Sequence, residues 1–162
     1  MARGGGTNMT SSENPLLRLV ALDADDLAVM SANLQDAVVR VADMAYLPKE
    51  RRFALLMSRF DWAVAATGSM ERSQCGVHFD RVSRASFMGF DPRDAAAVLN
   101  LLSIGFEPAE APGGVVELTF SGGAAIRLEV ECVEGQLRDT GPRWETRAKP
   151  GHAIVEDESG AN

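Results

Sequence analysis

Cys75-Gly76-Val77-His78 holds a thiol and an imidazole at the C-x-x-H spacing of half a zinc site. The residues around it alternate as a strand does, and on a strand an offset of three sends two side chains to opposite faces. The pair cannot then share one ion. The other Cys and His, Cys132 and His152, form no second pair, so no metal or other cofactor is expected. His78 and Asp80, two apart, do share a face. Such a pair is the orienting half of many acid–base arrangements, in which the carboxylate fixes the imidazole tautomer. A nucleophile to complete it is missing: no serine sits in a G-x-S-x-G elbow, and neither cysteine has a catalytic surround. Asp80 can equally pair with Arg84 on a wet strand face.

Arg59, Arg81 and Arg84 form a basic strip if their strands are neighbours. Converging guanidinium groups hold a carboxylate or phosphate by paired hydrogen bonds. Dispersed over a solvated face, they only discourage sheets from pairing edge to edge. Gly122-Gly123 lacks the following Lys-Ser/Thr and helix of a phosphate loop. Phe60-Asp61-Trp62 has the aromatics to stack nucleobases, though core packing suits them better.

The elements that must position these residues follow from periodicity. Residues 115–133, VVELTFSGGAAIRLEVECV, read as a β-hairpin. Val116, Leu118 and Phe120 alternate with Glu117 and Thr119. Beyond Ser121-Gly122-Gly123, Ile126, Leu128, Val130 and Cys132 alternate with Arg127, Glu129 and Glu131. One face is thus buried and the other wet, as in an antiparallel sheet covered on one side. Residues 16–22 are a first strand. Asp23 caps a helix whose Leu27, Met30 and Leu34 recur at helical spacing. Residues 38–43 and 53–62 read as strands joined through a charged turn at 48–51. Residues 53–62 carry apolar groups on both faces, the mark of a central strand. Residues 66–74 read as a polar loop and 76–87 as one long strand. Asp91-Pro92-Arg93-Asp94 is a helix-start signature, followed by a short helical turn and a strand from about Val98. Residues 133–139 turn helical or extend a strand, Gly141-Pro142 ends either, and Trp144 folds back on the sheet.

The chain has 162 residues, 46% of them hydrophobic and 24% charged, enough for one domain with a core. Residues 1–14 and 149–162 are expected to be disordered tails around a single domain over 15–148. A net charge of −7 argues against non-specific binding to nucleic acid or an anionic membrane. No stretch reaches the ~20 apolar residues of a membrane helix, no signal peptide is visible, and two cysteines make no disulfide framework. A cytoplasmic location is expected. The fold class expected is α+β: a mainly antiparallel curled sheet or half-barrel of about seven strands on one or two helices. A pleckstrin-like barrel is one arrangement that satisfies this pattern.

The runs LLRLVALDADDLAVMSANLQDAVVRVADMAYLPKERRFALLMSRFDW, VHFDRV and FSGGAAIRLEVECVEGQLRDTGPRW resemble the alphaproteobacterial domain-of-unknown-function family 2948 over about 16–147. The resemblance implies membership and brings no catalytic or binding residues with it. From the residues themselves, the expected function is a non-catalytic cytoplasmic binding or protein-interaction module, with homodimerisation through an edge strand as one form. The candidate contact residues are Arg59, His78, Asp80, Arg81 and Arg84. A small enzyme using His78 and Asp80 on an anionic substrate is the alternative, and single-stranded RNA binding a weaker one.

Overall fold

The computed structural model describes residues 16–68 and 70–145. The expected tails, 1–14 and 149–162, therefore lie wholly outside the described residues. Ten strands, where about seven were expected, form one antiparallel sheet. They are β1 (Arg18–Ala21), β2 (Val38–Arg40), β3 (Met44–Leu47), β4 (Arg52–Phe60), β5 (Glu71–Phe79), β6 (Val82–Met88), β7 (Val98–Pro108), β8 (Gly114–Phe120), β9 (Ala125–Val130) and β10 (Gly135–Glu145). Helix α1 is Ala24–Leu34, and a single turn, α2, covers Trp62–Ala65.

The pairing order is β1-β10-β5-β4-β2-β7-β8-β9-β6, with β3 also on β4. β7 joins two halves. Its first residues, Val98 to Asn100, pair with β2, and the stretch from Leu101 pairs with β8. The sheet curls until its far strand meets its middle. Phe87 of β6 lies 6.1 Å from Phe53 of β4. The Val82 amide donates to Arg51 O at 2.9 Å, and the Tyr46 hydroxyl donates to Val82 O at 3.0 Å.

Alternation explains the inner face. Phe53, Leu55 and Met57 of β4, Cys75, Val77 and Phe79 of β5, and Val116, Leu118 and Phe120 of β8 are all buried. Ile126, Leu128 and Leu137 join them. α1 closes the concavity against β7, β1 and β4. Asp23 caps it by accepting from the Asp26 amide at 2.8 Å, and Leu27, Met30 and Leu34 form its buried stripe, as the spacing requires. A bulge at Leu102 turns that side chain outward and returns Ile104 to the core. The Ile104 amide, next to the bulge, donates to Ser31 Oγ of α1 at 2.9 Å.

The hairpin forms where read, with Gly122 (φ 77°) and Gly123 (φ 85°) making its turn. The strand expected from about Val98 is β7. Other readings are corrected. Residues 76–87 are not one strand: Arg81, at φ 63°, breaks them into β5 and β6. β5 begins at Glu71, inside the expected loop, because Arg72 and Ser73 are buried there in spite of their polarity. Residues 38–43 leave the sheet after Arg40 as a 3-10 turn. The Asp91 carboxylate caps a turn by accepting from the Arg93 amide at 2.9 Å, and no helix follows. Gly141-Pro142 is a bulge within β10, since pairing with β5 resumes at Arg143. Trp144 runs on in that strand opposite Arg72. Cys132 sits in a bend between β9 and β10.

Candidate functional site

From Gln74 onward the even-numbered residues of β5 point away from the core, so Gln74, Gly76 and His78 lie on the outer face and Asp80 ends the row. Register aligns the neighbours into rows across the half-sheet. Val20, Gln136, His78, Ala54 and Ala45 make one row over β1, β10, β5, β4 and β3. Arg18, Arg138, Gly76 and Leu56 make the next, over β1, β10, β5 and β4. Exposed apolar groups recur on this side of the half: Val20, Leu22, Leu47 and Leu56.

His78 and Asp80 are together as the spacing requires, with Nδ1 3.4 Å from Oδ2. That contact is too long for a good hydrogen bond, and Nδ1 is buried with no hydrogen-bond partner. The carboxylate is instead gripped by Arg52, Nε donating to Oδ1 at 2.7 Å and Nη2 to Oδ2 at 3.4 Å. Arg84, the partner that spacing offered, is elsewhere. Burial lowers the His78 pKa below its ordinary 6.5; Arg52 lowers it further, and Asp80 and Glu134 only partly compensate. The imidazole is therefore neutral at pH 7 and able to donate or accept a hydrogen bond. Among the described residues no serine, threonine or cysteine is bonded to it. Cys75 faces the core, where burial pushes its thiol up to about 12. Among the described residues the pair has no nucleophile beside it.

The expected strip of Arg59, Arg81 and Arg84 does not exist. The three lie in three places. Arg59 falls on the inner parity of β4 and is buried. Its Nε and Nη2 donate to Asp139 Oδ1 and Oδ2 at 2.9 and 2.8 Å, and Asp61 lies 3.9 Å away. Burial opposes its charge, but the Asp139 bonds outweigh that and raise its pKa. Arg81 occupies the tight turn after β5, 3.4 Å from Glu134. Arg84 lies on the outer face of the other half, 4.0 Å from Glu129. Phe60 is fully buried, edge-on to Trp62 at 4.7 Å, and the Trp62 indole donates to Gln35 O at 3.1 Å. Among the described residues no three His, Cys, Asp or Glu are grouped to hold a metal ion, and no helix is long and apolar enough to cross a membrane.

Sequence reasoning passed over Arg18, Arg138 and Gly76. Arg18 and Arg138 each sit at an outward position of an alternating strand, which was legible. That β1 and β10, from opposite ends of the chain, are neighbours was not. Comparison with curated proteins and with solved structures finds no match. Residues 17–152 match the family described as protein of unknown function, DUF2948, and the chain belongs to that family.

Proposed function

We propose that the protein is a non-catalytic binding module of the cytoplasm, and that it binds through the outer face of the half-sheet around Gly76 and His78. One observation carries this reading: Arg52, and not His78, holds the Asp80 carboxylate. An acid–base pair whose carboxylate is already clamped by a guanidinium orients its imidazole weakly. What remains on the face is a neutral imidazole, two amides, the exposed Arg18 and Arg138 and exposed aliphatic groups, the mixed composition of a contact surface.

The test uses tagged full-length chain recovered from its own cytoplasm. A retained protein or small molecule should be lost with Leu56→Asp, in the centre of the face, and kept with Arg84→Glu, on the other half. Equal retention by both variants overturns the choice of face. Substrate turnover that disappears with His78→Ala overturns the non-catalytic reading.

A further inference from the structure

Arg18 and Arg138 are direct cross-strand partners, and both are exposed. Residues so paired have Cβ atoms roughly 5 Å apart, and like charges there destabilise a sheet. Arg40, Arg51, Arg52, Arg59, Arg81, Arg84, Arg93 and Arg127 each have a carboxylate within 4.0 Å. Among the described residues Arg18 and Arg138 have none. Acids are not scarce in the chain, with 23 against 16 basic residues. The arrangement leaves two positive charges facing each other in a protein that sets a carboxylate beside eight of its other arginines.

Gly76 is next in the same row, opposite Arg138. Glycine weakens a strand interior, and it commonly marks a close approach by a ligand or another chain. Here neither packing nor backbone geometry requires it. Its φ is not positive, and an added Cβ would meet only Thr140 Cγ2, at 3.8 Å. Leu56, on the far side of Gly76, is 38% exposed. The row is therefore a shallow trough across the strands, cationic at one end and walled by an aliphatic side chain at the other. Gln136 and His78 flank it on one side, Gln74 and Thr140 on the other. From Arg138 to Leu56 is two strand spacings, about 10 Å.

The length and the charge together select a ligand. A carboxylate fills one guanidinium fork, whereas the terminal oxygens of a phosphate monoester can accept from two. We infer that this trough binds an organic phosphate monoester, its phosphate between Arg18 and Arg138 and its uncharged body over Gly76 against Leu56. The inference deepens the binding reading above by naming a ligand class for the same face.

The test is a titration of full-length chain at constant ionic strength, following the Gly76 and Arg138 backbone amides by NMR. The probes are phenyl phosphate, inorganic phosphate and benzoate. Phenyl phosphate should saturate, with inorganic phosphate and benzoate each weaker by about tenfold, the loss expected when one good contact is missing. Arg18→Gln and Arg138→Gln should each weaken phenyl phosphate by about tenfold or more. Because each also relieves the like-charge pair, neither should lower the melting temperature. Gly76→Val, a good strand former, should weaken phenyl phosphate and leave inorganic phosphate unchanged. Non-saturating shifts in the wild-type chain overturn the inference, as do benzoate binding of equal strength or phenyl phosphate binding indifferent to both arginine substitutions. Loss of the phosphate inference leaves the Leu56→Asp retention result standing, so the two readings fail separately.

Discussion

The outer faces of the two half-sheets follow different charge rules. Over β7, β8, β9 and β6, acid faces base in register. Arg127 stands opposite Glu117 and bonds it at 3.2 Å, reaches Glu107 at 3.2 Å, and Glu129 stands opposite Arg84. Over β1, β10, β5 and β4, Arg18 faces Arg138 and the next position is a glycine. The first pattern is what a sheet does to keep a solvated face stable. The second works against stability, and the cross-strand complementarity of the first half shows that the same chain supplies matched charges elsewhere.

Four substitutions sharpen or break the contrast. The largest effect should come from beneath the second face. Asp139→Ala leaves the Arg59 guanidinium buried without its main partner and takes an acceptor from the Leu17 amide, at a cost of about 3–5 kcal/mol in chemical denaturation. A loss below about 1 kcal/mol would mean that Arg59 escapes to solvent. Next come paired charge reversals. Arg138→Glu, set opposite Arg18, should stabilise by about 0.2–1 kcal/mol, and Glu117→Arg, set opposite Arg127, should destabilise by a similar amount. Equal signs in thermal melts would erase the contrast between the halves. The smallest effect concerns pH. The folded-state pKa of His78 is lowered, so below the ordinary 6.5 the unfolded chain takes up a proton that the folded one resists. Stability should fall as pH drops through that value toward the folded-state pKa, and His78→Gln should flatten the decline. An unchanged slope in that variant assigns the acid sensitivity elsewhere.

Local pattern located what local physics determines. The hairpin, the capped helix and the start of β7 all rest on alternation, a cap residue or turn glycines close in sequence. The failures share a cause. Arg59 reads as a surface group because its partner Asp139 lies 80 residues away. Arg72 and Ser73 disguise the start of β5 because burial there follows from long-range packing and not from polarity. Arg81 takes a left-handed conformation with no glycine to announce it. The candidate site fared likewise. The His78–Asp80 proximity came from spacing, whereas the Arg52 clamp, the Arg18–Arg138 pairing and the open space over Gly76 depend on which strands are neighbours.

β10, the last described strand, is inserted between β1, the first, and β5. During synthesis the emerging chain can therefore build neither side of that junction until β10 itself has left the ribosome. Until then β5 offers a bare row of amides and carbonyls to any passing strand, and β1 has nothing to zip onto. Nascent molecules of this protein should depend on chaperone shelter until that strand emerges, and a premature stop before residue 135 should yield aggregate instead of a smaller working fragment.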